Sequence, residues 1–201
     1  APYVRAAQTL NPGGVLVEIG PYKGRSASWV APIVKERGAR MFVVDPFVGV
    51  RNPNQGLIAS RKALRAEFEK NMDAIGVMDC ITIIEAGSIP GCDYFEHNSI
   101  DVCYIDGLHD YGNVMVDIAV WLPRVRSGGY LMGHDYSFGP EGHPGVRQAV
   151  DQWFFKPDEV TGQTWVRRKM PKAIGIETCA HCNRACSFCP TNNTVKHAAE
   201  F

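Results

Sequence analysis

Short apolar runs rich in β-branched residues alternate along the chain with longer segments whose apolar positions recur every three or four residues. The first pattern fits strands buried on both faces of a parallel sheet, and the second fits helices with one buried side. Strands are expected at 14–19, 40–45, 80–86, 100–106 and 129–135, with a late strand at 164–169. Helices are expected at 26–37, 57–75, 113–125 and 146–155. The first carries Trp29, Val30, Ile33 and Val34 at helical spacing and stops at Gly38, a natural C-cap; the last carries Val146, Ala149, Val150 and Trp153 on one side. Pro140 to Pro144 reads as a loop. The expected class is α/β, an open and mostly parallel sheet of five or six strands flanked by helices.

Composition narrows the function classes. With 201 residues, 45% hydrophobic and 21% charged, the chain can bury the core of one soluble domain. Lys plus Arg (21) equals Asp plus Glu (21), so no overall positive field exists to gather nucleic acid or an anionic membrane. No apolar run approaches the roughly 20 residues that span a bilayer, and no secretory leader is legible; a cytoplasmic location is expected. The chain opens on Ala1-Pro2 rather than Met, so a processed, engineered or partial product is expected. Composition shifts near Pro171, dividing a domain at 1–170 from a Cys-rich tail at 171–201. Cys80, Cys92 and Cys103 are scattered and read as structural, whereas Cys179, Cys182, Cys186 and Cys189 crowd together as metal ligands do.

The clearest chemistry lies in Glu18-Ile19-Gly20-Pro21-Tyr22-Lys23-Gly24, between the first strand and first helix. Glycines here let bare backbone approach a ligand at the carboxyl edge of the sheet. The interval Glu-x-Gly-x-x-x-Gly differs from the Gly-x-Gly-x-x-Gly dinucleotide fingerprint, which argues against a nicotinamide cofactor. Asp45, ending the second strand, can accept hydrogen bonds from two ribose hydroxyls, and Glu18 can meet a ligand ammonium directly or through water.

Residues 17–26, 43–45, 85–88 and 104–109 together resemble the successive motifs of class I S-adenosylmethionine-dependent methyltransferases, closest to a small-molecule group with Glu-Ile-Gly-x-x-x-Gly-x-Ser and Ile-Asp-Gly-x-His. The resemblance spans about 12–170. It implies a Rossmann-like fold in which Gly20, Gly24 and Ser26 line the methionine part of the donor, Asp45 the ribose and Ser88 the adenine edge, with Glu18, Pro21, Tyr22 and Asp106 completing the donor site. A small-molecule acceptor follows, with oxygen on a sugar or natural-product hydroxyl as the expected atom, and a homodimer is a further expectation.

Residues beyond the strand carboxyl ends are candidates for the acceptor chemistry: Asp106, His109, His134 and Asp135. Methyl transfer needs alignment of donor and acceptor and removal of a hydroxyl proton. Two readings stand. In one, Asp106, His134 and Asp135 hold a divalent cation, magnesium, as three acids do in related sugar and antibiotic O-methyltransferases; His134 stands where an acid is expected. In the other, His109 or His134 is the base, and Asp106 or Asp135 orients it. Relatives carry an acid at 108, where this chain has Leu108. Tyr136, Phe138 and His143 are expected to shape the acceptor pocket.

The tail reads Cys182-x-x-x-Cys186-x-x-Cys189 after a strand-like start, and resembles the opening strand and cluster loop of radical S-adenosylmethionine enzymes. Three thiolates at that spacing hold three irons of a 4Fe-4S cluster. Only twelve residues follow Cys189, far short of a barrel, so the cluster is expected in a full-length parent with a downstream radical domain. Cys179, His181, Cys182, Cys186 and Cys189 also suffice for a zinc site. A non-catalytic donor-binding module is the alternative to an enzyme, and a nucleic-acid methyltransferase is disfavoured by the neutral charge and by the lack of a motif for a flipped base.

Overall fold

A computed structural model of the protein describes residues 1–48, 51–52, 56–57, 61–137 and 143–170. Helix α1 (Pro2–Gln8) precedes strand β1 (Val15–Ile19), helix α2 (Arg25–Glu36) and strand β2 (Arg40–Val44). A small antiparallel pair, β3 (Arg51–Asn52) and β4 (Gly56–Leu57), leads to helix α3 (Arg61–Ala74), then strand β5 (Ile81–Ile84), the short helix α4 (Ser88–Cys92), strand β6 (Ile100–Ile105) and helix α5 (Tyr111–Trp121). Strand β7 (Val125–Gly133), helix α6 (Pro144–Phe154) and strands β8 (Glu159–Thr161) and β9 (Thr164–Arg168) complete the order.

Among the described residues the main sheet has seven strands in the order β5-β2-β1-β6-β7-β9-β8. The five from β5 to β7 pair in parallel, while β7–β9 and β9–β8 are antiparallel. This is the expected Rossmann-like class with more strands than the apolar runs announce. The chain winds outward from β1 to β2 and β5, then crosses back to place β6 on the other side of β1. Such a reversal opens a crevice at the strand carboxyl ends, where ligands bind.

Strand side chains alternate between faces. Leu16 joins Tyr3, Val30, Phe68 and Met72 in a core under α1, α2 and α3, while Val17 and Ile19 join Val114, Ile118, Trp121, Val146 and Val150 under α5 and α6. Trp121 is fully buried beside Phe95, and its Nε1 donates to Ser88 Oγ at 2.8 Å. Trp121→Ala is therefore expected to cost about 3–5 kcal/mol, measured by urea unfolding; a loss under about 1 kcal/mol would contradict this packing role.

Several expected boundaries move. The helix drawn over 57–75 begins at Arg61, because Gly56–Leu57 pairs with Arg51–Asn52. The helix drawn over 113–125 runs from Tyr111 to Trp121, started by Asp110, whose carboxylate accepts from the Asn113 N–H at 3.1 Å. Val125 instead opens β7, ahead of the expected start at 129, and its register against β6 shifts between Ile100 and Val102. Cys80 lies in a 3-10 turn before β5. Helices α1 and α4 and strand β8 have no counterpart in the pattern reading. No helix among the described residues is long and apolar enough to cross a membrane.

Candidate active site

The carboxyl ends of β1, β2, β5 and β6 are tied together. Gly20 N–H donates to Val44 O at 3.0 Å, Asp106 N–H to Ile19 O at 2.9 Å, and Asp45 N–H to Ile84 O at 3.2 Å. Above them opens a cavity of about 690 Å³, walled among others by Gly20, Tyr22, Ser26, Asp45, Phe47, Ser88, Asp106, His109 and Asp117.

Gly20 has φ +79, and a Cβ there would lie 2.4 Å from Asp106 O and 2.7 Å from Gly107 Cα. Only glycine allows the β1–α2 and β6–α5 loops to meet. Gly24 has a different reason: with φ +85 it begins α2, and a Cβ would strike Met72 Cε at 2.7 Å. Gly24 is not among the residues that wall the cavity, whereas Pro21 and Tyr22 are.

Glu18 also departs from expectation. Fully buried on the α1 side of β1, it does not wall the cavity. Tyr3 Oη donates to its Oε2 at 3.2 Å, and Ser26 Oγ donates to its Oε1; Tyr3 itself stacks on Tyr104 with ring centroids 4.0 Å apart. Glu18 therefore reaches the cavity only through Ser26, which walls it. Burial pushes the carboxyl from its ordinary 4.5 up to about 8; the hydroxyls of Ser26 and Tyr3 oppose the rise and the charge of Asp106 adds to it. Below pH 4.5 folded and unfolded chains both hold this proton. Between 4.5 and 8 only the folded chain does, so its stabilising contribution is lost as pH rises through about 8. Stability is expected to fall between pH 5 and 9 by on the order of several kcal/mol from this group, and Glu18→Gln is expected to flatten that slope in urea unfolding at pH 5, 7 and 9. An unchanged slope in the variant would reject the assignment.

Asp45 sits just past β2 with Oδ1 accepting the Phe47 N–H at 2.6 Å; burial raises its pKa, and the backbone N–H groups of Phe47 and Tyr22 counter this. Ser88 and Asp117 also wall the cavity, and Ser88 Oγ donates to Asp117 Oδ1. Asp117 is a site residue the sequence reading missed. Burial raises its carboxyl to about 6, with the Ser88 hydroxyl opposing. The available signal was an acid at the apolar spacing Val114, Asp117, Ile118, Trp121 of α5.

The four candidates for acceptor chemistry do converge. His109 Nε2 lies 3.0 Å from Asp135 Oδ2 and 3.7 Å from Asp106 Oδ1; His134 Nδ1 lies 3.0 Å from Asp135 Oδ1 and 4.0 Å from Asp106 Oδ1. His109 Nε2 is buried between these two carboxylates. The Asp106 and Asp135 carboxylates together lift His109 from 6.5 to about 9 against partial burial, and Asp135 raises His134. Burial alone would raise Asp135, yet the two imidazoles outweigh it and hold that carboxyl well below its usual range. Asp135 also has φ +61, a costly backbone for a non-glycine residue. The His143 ring lies 4.2 Å from that of His109. Only Asp106 and His109 of this group wall the cavity. Tyr136 turns away, donating to Asp151 Oδ1 at 2.6 Å, which corrects its expected place in the pocket. Leu108 projects at the mouth, 65% exposed.

Magnesium asks for about six oxygens. The set Asp106, His134 and Asp135 has ligand atoms within 4.8 Å of one another but includes an imidazole, so these residues do not fit magnesium. Phe138 and the cluster ligands Cys182, Cys186 and Cys189, with Cys179 and His181, lie outside the described residues.

The family model described as "Methyltransferase domain" matches residues 17–136. Among solved structures, the chain is similar to a structural-genomics protein from Corynebacterium glutamicum (12% identity, 86% of this chain and 80% of that one, TM-score 0.61). It is also similar to the O-methyltransferase NovP (19%, 85% and 78%, TM-score 0.59). A third is the O-methyltransferase TomG from Streptomyces achromogenes, solved with S-adenosylmethionine (12%, 82% and 75%, TM-score 0.57). At these identities the likeness is one of fold. No curated protein matches.

Proposed function

The chain belongs to the methyltransferase-domain family and is an S-adenosylmethionine-dependent methyltransferase, and from that premise we propose that it methylates a hydroxyl oxygen on a small molecule, a sugar or natural-product intermediate. The observation that carries this reading is that one cavity is walled by Asp45 and Ser26 and also by Asp106 and His109. Structural neighbours named as O-methyltransferases support oxygen as the acceptor atom.

S-adenosylmethionine, when bound, supplies a methyl group on a positively charged sulfur. In this reading Asp45 accepts from the ribose hydroxyls and Gly20 gives its backbone room. Ser26, held by Glu18, fixes the methionine end beside Pro21 and Tyr22. Ser88 and Asp117 face the adenine edge, where a carboxylate can accept from an exocyclic amine. The bound donor would supply its methyl group by in-line displacement, and the proton of the acceptor hydroxyl would pass to the His109 imidazole. At rest His109 holds a proton, which passes to solvent first; the flanking carboxylates then make it a more avid acceptor than a free imidazole. Asp106 and Asp135 orient the ring.

The test is calorimetric binding of S-adenosylmethionine, then turnover on a panel of hydroxylated sugars and aromatic metabolites. Binding without turnover on any hydroxyl, with turnover on an amine or thiol, would overturn the oxygen assignment. We further read residues 171–201 as the start of a radical S-adenosylmethionine domain of a longer parent, on the Cys182, Cys186 and Cys189 spacing; iron analysis of anaerobically prepared parent protein tests it.

A further inference from the structure

We propose that Arg25 is the anion-binding residue of the cavity and that it takes a ligand's carboxylate, with the methionine carboxylate of the methyl donor as the first source. Arg25 opens helix α2 and walls the cavity. No other arginine or lysine walls it, whereas three aspartates, Asp45, Asp106 and Asp117, do. Those carboxylates suit the cationic and hydroxyl groups of a ligand and repel its acids. A ligand that carries both signs of charge needs a lasting cation in such a wall, because a charge taken out of water must be paired. His109, the other basic residue of the wall, must give up its proton to act as a base, while a guanidinium stays charged throughout.

The side chain is unpaired within the protein. Among the described residues its guanidinium meets no carboxylate and no carbonyl; it lies over the ring of Trp29, four residues further along α2, with Cζ 5.9 Å from the ring centre. Cations nearby in sequence or across the site are engaged instead, Lys23 with Glu67 at 3.0 Å and Arg65 with Glu69 at 3.0 Å and with Glu85. Arg25 therefore keeps all five N–H donors for a ligand. Its place is unfavourable on its own, since α2 has no acid in its first turn and a cation there meets like charge from the helix dipole. A bound carboxylate would offset this. The contact with Trp29 restrains the long side chain beforehand, so that less freedom is lost when a ligand arrives.

Two carboxylates could fill the role, that of the donor's methionine and an acidic group on the acceptor. The guanidinium fork gives either one two parallel N–H···O bonds. Ser26, the next residue, walls the cavity and is assigned above to the methionine end, which favours the donor. That preference rests on the methyltransferase reading.

The test is calorimetry on the full chain with S-adenosylmethionine and with its decarboxylated analogue, which keeps the adenosine, the sulfonium and the amine. Arg25→Ala is expected to weaken S-adenosylmethionine tenfold or more and to leave the analogue within twofold. Arg25→Lys keeps the charge and loses the fork, so an intermediate affinity is expected. Arg25 is exposed, and an unchanged urea midpoint in both variants checks that the fold is intact. A second arm measures protocatechuate against catechol, which lacks its carboxylate, with S-adenosylhomocysteine present. A tenfold loss in Arg25→Ala confined to protocatechuate, with S-adenosylmethionine unaffected, would place the carboxylate on the acceptor. Equal loss of S-adenosylmethionine and its analogue, or indifference of both S-adenosylmethionine and protocatechuate to Arg25→Ala, would overturn the proposal. A parent chain that binds neither donor would instead overturn the methyltransferase reading, and the protocatechuate arm alone would then decide the role of Arg25.

Discussion

Asp45→Ala is expected to weaken S-adenosylmethionine binding at least a hundredfold in calorimetry. The carboxylate has room for about four hydrogen bonds. One goes to the Phe47 N–H at 2.6 Å, the Tyr22 N–H also approaches it, and the residue walls the cavity. Two charge-assisted bonds to ribose hydroxyls are worth about 1.5–3 kcal/mol each, and roughly 3 kcal/mol together already exceeds a hundredfold. Asp45→Asn keeps an acceptor for Phe47 but halves the capacity toward the ligand, so an intermediate affinity is expected. If alanine leaves Kd within tenfold of the parent, Asp45 does not hold the donor. If asparagine and alanine are equally poor, charge rather than hydrogen bonding dominates.

His109→Ala is expected to reduce kcat by about 10²–10⁴, the usual worth of a positioned base, with S-adenosylmethionine affinity nearly unchanged. His109 walls the cavity beside Asp106, and none of the donor contacts assigned above falls to it. Single-turnover rates at saturating donor, on whichever hydroxylated acceptor the panel returns, provide the measurement. His134→Ala serves as the comparison, because His134 does not wall the cavity. A larger loss in that variant than in His109→Ala would reassign the base to His134.

The sheet was readable because its central strands are runs of Val, Ile and Leu that only a doubly covered position makes soluble. Helix α1 was not, because seven residues form a marginal helix alone; what secures it is Tyr3, stacked on Tyr104 and bonded to Glu18 across the core. Strands β8 and β9 close the sheet antiparallel, and three residues such as Glu159–Thr161 carry too short a period to announce a strand. In the site, the motif order brought Gly20, Asp45, Ser88 and Asp106 to one cavity. Glu18 lies away from the cavity wall for an instructive reason. The alternation with Leu16 already put both on one face of β1, but the residue that covers that face comes from the unseen α1. Gly24 shows the same limit: its spacing marks a turn, while its crowding against Phe68 and Met72 depends on α3.

The reversal of strand order at β1 has a kinetic side. Leu16 must find Val102, and Val43 must find Ile83, before the crevice exists. Parallel pairings between segments so distant in sequence form slowly, since loop-closure entropy is lost before any contact compensates it. Neither half of the chain alone completes the binding site, because residues 19–90 supply one part of its wall and residues 106–117 the rest. Affinity for the methyl donor is thus a late and all-or-none acquisition during refolding, and its return after dilution from denaturant times the completion of the topology rather than the first collapse.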